Sequence, residues 1–174
     1  ATATPAATAT ARRQVPEKLE LDGTKWKVEG FKGRKDLEIV VENPKQVLYC
    51  YGLVNCVVTV RGKCNHITLD GCTKTGVVFD DVVAAVELVR CKSAQVQSNG
   101  TVPSMAIENS DGVHIYWLDP RNNDCEVITS CSSEVNITLK YDGDEEFSEV
   151  AIPQQYLTQV KGKSLDTAPI SHLG

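Results

Sequence analysis

One apolar position recurs through the middle of the chain at intervals that alternate between nine and ten residues. Its members are Ile39, Leu48, Val58, Ile67, Val77, Val86, Val96, Met105 and Ile115. A helical stripe cannot follow this pattern, because Gly71, Pro103 and similar helix-disfavouring residues fall between its members. Short strands separated by turns can follow it, and two such strands make one coil of nineteen residues.

Apolar residues alternate with others around the members of this series, as in Val58-Thr-Val60 and Ile67-Thr-Leu69. A period of two places every second side chain of a strand on the same side. Superposing each residue on the one nineteen positions later gives three inward columns. Two lie on one wall, namely Ile67, Val86, Met105 and Leu69, Leu88, Ile107, and the opposite wall carries Val58, Val77, Val96 and Ile115. The pattern therefore predicts an all-β parallel β-helix of about five to six coils, spaced by about 4.8 Å.

The composition divides the chain into three parts. Residues 1–16 are mostly Ala, Thr and Pro with two arginines, and we expect a disordered linker there. Residues 17–140 carry the β-helix, and the aromatic side chains of Trp26 and Phe31 are expected to close its first coil, where core and strand edge would otherwise be exposed. A polar loop at residues 119–124 interrupts the spacing. Residues 141–174 are expected to form a C-terminal dimerisation hairpin and tail.

The C-terminal part contains apolar residues that no longer follow the earlier spacing. They are Phe147, Val150, Ile152, Tyr156, Leu157 and Val160. Full burial of such side chains contributes roughly 1.5–3 kcal/mol each, so we expect all six to be covered. A hairpin folded over the last coil would cover them, and so would the same hairpin exchanged with a second copy of the chain. The residue pattern leaves both arrangements open.

The formal net charge of −5 argues against a nucleic-acid-binding protein, because a basic surface supplies most of the affinity for nucleic acid. No apolar run approaches the roughly 18 residues of a membrane span, so no membrane insertion is expected.

The seven cysteines are an odd number without a Cys-x-x-Cys pair, which indicates free thiols in a reducing cytosol. Cys72 and Cys91 lie one coil apart, so their Cα atoms could come close enough for a disulfide. We predict that both remain thiols, stacked in a column that continues to Asn109 or Ser110.

The sequence contains no motif of enzyme catalysis. Asp80 and Asp81 could be read as the carboxylate pair of a carbohydrate-active β-helix, but adjacent residues on a strand point to opposite sides. We interpret them as turn residues that hydrogen-bond between half-coils. The interval between His66 and His114 is not a whole number of coils, so no shared metal is expected. The prediction is a protein-binding domain with no catalytic residue, metal or cofactor.

Several runs of the sequence resemble the C-terminal domain of cyclase-associated protein, over roughly residues 18–174. They are Lys45-Gln-Val-Leu-Tyr-Cys-Tyr-Gly52, Arg61-Gly-Lys-Cys-Asn-His-Ile-Thr-Leu-Asp70, Gly76-Val-Val-Phe-Asp-Asp-Val-Val83, residues 92–103, Ser132-Ser-Glu-Val-Asn136 and Pro153-Gln-Gln-Tyr156. The resemblance implies a right-handed parallel β-helix that forms a homodimer by exchange of its C-terminal strands. It also implies a cytoplasmic actin regulator that binds ADP-loaded actin monomers (ADP-G-actin) and accelerates exchange of ADP for ATP.

Within the matching runs, we expect the actin contacts at outward or turn positions. These residues are Arg61, Lys63, Asn65, Asp80 and Asp81, with Lys25 and Trp26 near the base of the β-helix and Lys161 and His172 in the tail.

Two other classes of protein remain as alternatives. Tubulin cofactor C-like domains resemble GTPase activators that use a Gln-x-x-Arg motif, but here Gln46 is followed three residues later by Tyr49, so the arginine is missing. A carbohydrate-active β-helix enzyme would need clustered carboxylates or a calcium site.

Overall fold

Two seven-stranded sheets form the walls of a parallel β-helix in the computed structural model, which describes residues 15–140, 143 and 145–170. The first wall contains, in spatial order, β1 (Lys18–Asp22), β2 (Lys25–Glu29), β4 (Val47–Tyr51), β6 (Cys64–Asp70), β8 (Val82–Val89), β10 (Ser104–Glu108) and β12 (Glu126–Ser130). The second wall contains β3 (Leu37–Val40), β5 (Val57–Arg61), β7 (Gly76–Phe79), β9 (Lys92–Ser98), β11 (Asp111–Trp117), β13 (Ser133–Leu139) and β14 (Ser148–Ala151). The predicted fold class is confirmed.

Each coil takes one strand from each wall, so the pairs from β2 and β3 to β12 and β13 make six coils. The predicted columns are confirmed by the strand register. Ile67 pairs with Val86 and Val86 with Met105 on the first wall. On the second wall the pairs run from Val58 through Val77 and Val96 to Ile115.

The spacing is longer at both ends of the stack than in its middle. Ile39 pairs with Val60 and not with Val58, so the nineteen-residue spacing does not extend to the first coil. On the first wall, Trp26 pairs with Leu48 and Met105 with Val127, and both intervals are longer than a coil in the middle of the stack. Extra residues in loops explain the difference. One such loop at residues 41–46 is held by Gln46, and the other contains a 3-10 helix, Pro120–Asp124, capped by Asp119.

The turns from the first wall to the second have the same conformation in every coil. A two-residue segment is flanked on each side by a residue with positive φ. The two columns of flanking residues are Gly30, Gly52, Gly71, Arg90, Asn109 and Cys131, and Gly33, Asn55, Lys74, Ser93, Gly112 and Glu134. Such backbone is costly for residues other than glycine. Main-chain hydrogen bonds between coils hold it, as from Arg90 N to Glu108 O at 2.9 Å. We call this corner the glycine edge (residues 30–33, 52–55, 71–74, 90–93, 109–112 and 131–134).

The core is closed at the first coil, as predicted. Phe31 is buried and Trp26 packs against the same apolar cluster. β1 runs antiparallel along β2 and pairs the edge of the first wall. Cys72 and Cys91 are buried free thiols, and the Cys91 N–H donates to Ser110 Oγ at 3.0 Å, so the predicted column is confirmed.

The last coil leaves the core less well covered. Val127, Ile137 and Leu139 face inward there but are only partly buried. β14 adds to the second wall by antiparallel pairing with β13. The remaining strands, β15 (Tyr156–Lys161) and β16 (Ser164–Pro169), form a separate two-stranded sheet. Val160 is 75% exposed on this hairpin. The hairpin of the single chain therefore leaves apolar residues uncovered that were expected to be buried. Phe147, Val150, Tyr156 and Leu157 are also exposed, and only Ile152 packs against the core.

Among the described residues, no helix is long and apolar enough to cross a membrane. Most of the linker expected at residues 1–16 lies outside the described residues, as does His172.

Candidate binding edge

The second corner of the β-helix, which leads from the second wall back to the first, gathers most of the predicted contact residues. We call it the aspartate edge, and it consists of the turns at residues 41–46, 62–63, 80–81, 99–103 and 118–125. Arg61 ends β5 just before this edge, Lys63 lies in the turn and Asn65 follows at the start of β6. Asp80 and Asp81 lie one coil further along. The structure thus brings together residues that are a full coil apart in sequence.

The two aspartates hydrogen-bond to the turns of neighbouring coils. Asp80 Oδ2 accepts from the Gly62 N–H at 2.9 Å, which links it to the coil below. Asp81 Oδ1 accepts from the Thr101 N–H at 2.9 Å and from Thr101 Oγ1 at 3.0 Å, which links it to the coil above. The interpretation of the pair as turn residues is confirmed. A Cβ at Gly100 would overlap Asp81 Oδ1 and lie 2.6 Å from Asp80 O, so the turn requires glycine there.

The hydrogen bond from the Thr101 N–H lowers the pKa of Asp81 below its ordinary value, and the positive charges of Lys63 and Arg121 act in the same direction. A carboxylate whose folded-state pKa is depressed stabilises the fold above its unfolded-state pKa. That contribution is lost as the pH falls through the folded-state value. The aspartate edge is therefore expected to weaken in acid.

Replacement of Asp81 by asparagine tests this expectation. Asp81→Asn keeps an acceptor for Thr101 but removes the charge, so we expect a loss of about 1 kcal/mol in the free energy of unfolding at neutral pH. The difference between wild type and variant should shrink as the pH falls below about 4, because Asp81 of the unfolded chain then binds a proton and Asp81 of the folded chain does so only at lower pH. Urea unfolding at a series of pH values measures it, with Glu108→Gln, at an exposed side chain on β10, as the matched control. A difference that is independent of pH would contradict the assignment.

The cations of the aspartate edge are available at the surface. The Arg61 guanidinium lies 3.2 Å from the Glu38 carboxylate, but both side chains are more than half exposed, so the pair contributes little to stability. Lys63 is exposed, and within the described residues its ammonium group has no hydrogen-bond or ion-pair partner. Both side chains can therefore bind an acidic partner without breaking a strong contact within the domain.

Lys25 and Trp26 lie at the base of the aspartate edge, where β2 begins. Trp26 Nε1 donates to Gln46 Oε1 at 3.4 Å, and the indole is half-buried, so its main contacts are with the core. The Lys25 ammonium lies 4.1 Å from the centre of the Tyr49 ring. Such a contact contributes about 0.5–1 kcal/mol at an exposed site.

Tyr49 is a feature of this surface that the sequence reasoning did not single out. Its ring stacks on Tyr51 with the ring centres 6.2 Å apart, and its hydroxyl donates to Asp70 Oδ2 at 3.0 Å. Burial and the neighbouring Asp70 raise the pKa of Tyr49 to about 12. The two tyrosines connect the base of the aspartate edge with the glycine edge. The alternation in the run Val47 to Tyr51 is the signal that marks both as outward.

The predicted tail contacts lie elsewhere. Lys161 belongs to the β15–β16 hairpin, where its ammonium lies 2.5 Å from Asp166 Oδ2. The structure therefore does not place Lys161 with the residues of the aspartate edge in the single chain.

A parallel β-helix with an edge of solvent-exposed cations and hydrogen-bonded aspartates defines a protein of the β-solenoid class, and the comparisons specify its family. A model of the adenylate cyclase associated (CAP) C-terminal family matches residues 15–172. The chain is 41% identical to human adenylyl cyclase-associated protein 1 over 157 residues, which is 90% of this chain and 33% of the relative. It is 42% identical to Arabidopsis thaliana cyclase-associated protein 1 over 163 residues, which is 91% of this chain and 34% of the relative.

A solved structure agrees with these relatives. The crystal structure of cyclase-associated protein from Cryptosporidium parvum superposes with a TM-score of 0.82 at 25% identity, and covers 91% of this chain and all of that one. The chain therefore belongs to the CAP C-terminal family. It spans about a third of the length of the curated relatives it matches.

Proposed function

We propose that this domain binds ADP-loaded actin monomers through the aspartate edge and accelerates exchange of the bound ADP for ATP. The proposal rests chiefly on the match of residues 15–172 to the CAP C-terminal family. It is supported by the geometry of the edge, where Arg61, Lys63, Asn65, Asp80 and Asp81 lie within two adjacent coils. The domain would act in the cytoplasm, which agrees with the free thiols of the buried cysteines.

The proposed mechanism is selection of a conformation of the partner, without chemistry by side chains of this domain. The nucleotide belongs to actin, and its release requires an open cleft. A domain that binds the open form better than the closed form shifts the equilibrium by its difference in affinity, so tenfold tighter binding corresponds to about 1.4 kcal/mol. Arg61 and Lys63 would contribute by pairing with acidic groups of actin, while Asp80 and Asp81 hold the turns that present them.

The functional form proposed here is a homodimer. Val127, Ile137 and Leu139 leave the last coil partly uncovered, and the β15–β16 hairpin exposes its apolar side chains in the single chain. Exchange of residues 141–174 between two copies would cover both surfaces by two-fold symmetry. Phe147, Val150, Ile152, Tyr156, Leu157 and Val160 would lie in or near this interface. A dimer would also present two aspartate edges, and it would place Lys161 close to the partner's coils.

Charge reversal at the aspartate edge tests the proposal. We expect Arg61→Glu and Lys63→Glu together to weaken binding to ADP-actin monomers by tenfold or more, since two attractions become repulsions. The measurement is the change in fluorescence of labelled ADP-actin on titration with the domain. Lys92→Glu, on the glycine edge, is the matched control and should bind as the wild type does. Equal loss in both variants, or no loss in either, would reject the aspartate edge as the contact surface.

A further inference from the structure

A groove runs along the glycine edge, on the opposite corner from the proposed actin contacts. It has a volume of about 510 Å³. Gly30, Gly52 and Gly71 come from three successive coils and form its floor, and Tyr51, Val54 and Thr73 also line it. Because glycine has no Cβ, a ligand can come close to the main chain along this floor.

The chain itself shows that the groove fits an extended main chain. Val15 and Pro16 lie across its lower end. A Cβ at Gly30 would overlap Val15 O and lie 2.6 Å from Pro16 O, so the absence of a side chain is what admits this segment. Val15 Cγ2 reaches to within 3.4 Å of the Cβ position of Gly52. The groove continues beyond Val15 to Gly71 and Arg90.

The groove is cationic, although the whole chain has a net charge of −5. Lys32, Arg90 and Lys92 are among its lining residues, and none of those residues is acidic. Arg90 is paired with Asp70 at 2.5 Å. Within the described part of the chain, the ammonium groups of Lys32 and Lys92 have no hydrogen-bond or ion-pair partner. A ligand would therefore meet two uncompensated positive charges.

The spacing of these two lysines is a multiple of the coil spacing. Lys32, Val54, Thr73 and Lys92 form one outward column through four successive coils. Three coil spacings of about 4.8 Å separate the ends of the column by about 14 Å. An extended peptide advances about 3.3 Å per residue, so four residues cover that distance. Positions that are four residues apart on a strand also point to the same side.

We propose that this groove binds an extended acidic segment of a partner protein. Two carboxylates about four residues apart would pair with Lys32 and Lys92, and the intervening main chain would lie along Val54 and Thr73, beside Val15. The alternative occupant is the chain's own residues 1–14, but these contain Arg12 and Arg13 and no acidic residue. Like charges in the groove disfavour that segment. The inference does not depend on actin binding, because the groove and the aspartate edge lie on different corners.

The test uses the full chain and a short fluorescein-labelled peptide of Thr and Val with two glutamates four residues apart. We expect saturable binding by fluorescence anisotropy at low ionic strength, weakened by added salt. Lys32→Glu and Lys92→Glu should each weaken binding by about fivefold or more. Lys63→Glu, on the aspartate edge, is the matched control and should leave the affinity unchanged. A peptide with glutamine in place of both glutamates should not bind, and one with adjacent glutamates should bind less tightly.

Three results would overturn the proposal. The first is equal binding of the glutamine peptide, or equal weakening by Lys63→Glu, because either shows contact without the specific lysines. The second is displacement of the glutamate peptide by a synthetic peptide of residues 1–14, which would assign the groove to this chain's own segment. The third is failure to bind the glutamate peptide while phosphatidylserine vesicles bind in a manner that depends on Lys32 and Lys92. That outcome would assign the groove to anionic lipid.

Discussion

A chain carrying Leu157→Asp and Val160→Asp is expected to be a monomer of about 19.0 kDa in solution, whereas the wild-type chain should have about twice that mass. The two residues are three positions apart on β15 and point to opposite sides of the hairpin. Whichever side meets the second copy therefore receives a buried charge, which costs several kcal/mol without a partner. Size-exclusion chromatography with light scattering measures the mass directly.

The matched control for this experiment is Lys163→Glu, an exposed residue between the strands of the same hairpin. It changes charge without changing an apolar contact, so the mass should remain that of a dimer. A wild-type mass of 19.0 kDa at micromolar concentration would reject the exchanged homodimer. So would a double variant that keeps the doubled mass.

Leu88→Ala is expected to destabilise the β-helix by about 2–5 kcal/mol. Leu88 is fully buried on β8 and lies between Leu69 and Ile107 in the coils below and above. Each coil of a solenoid contacts only its neighbours, so a cavity in the middle removes support on both sides. The loss is a large share of the stability of a typical domain, about 5–15 kcal/mol.

Val89→Ala is the control for the core substitution, because Val89 is the next residue on the same strand and points outward. We expect it to cost less than about 1 kcal/mol. Urea unfolding followed by circular dichroism compares the variants, at one protein concentration because a dimer's stability depends on it. Similar losses in both variants would contradict the inward and outward assignment of the strand.

The middle of the fold could be predicted because its information is local and repeated. Each strand between Leu48 and Ile115 alternates apolar and other residues. The regular nineteen-residue spacing places apolar residues of successive coils on one another, so the strand register follows from the residue numbers. The end coils could not be predicted in the same way. The three extra residues between Met105 and Val127 belong to a loop with a 3-10 helix, whose Asn122 is buried and hydrogen-bonds to Val102 N and Gly100 O. The spacing of apolar residues does not indicate that the Asn122 side chain bonds to main-chain groups of the turn one coil below.

The two edges were only partly visible in the sequence. The role of Asp81 follows from its position in a turn, but its partner Thr101 is identified only once the coils are stacked. The left-handed conformation of Arg90 is set by its place in a column that begins with glycines, against the preference of its residue type. The signal for the groove was present in Gly52 and Gly71, which are one coil apart in the sequence. The cationic character became apparent only when Lys32 and Lys92 were placed in one column.

The proposed promotion of nucleotide exchange on actin can be measured by stopped-flow fluorescence. Actin monomers loaded with a fluorescent ADP analogue are mixed in a stopped-flow instrument with excess ATP, with and without the wild-type domain. We expect the rate of loss of fluorescence to rise with domain concentration and to saturate. The Arg61→Glu and Lys63→Glu double variant should need a higher concentration for the same rate. A rate that stays at the value of actin alone, while binding to ADP-actin is shown to be saturated, would rule out the proposed exchange activity.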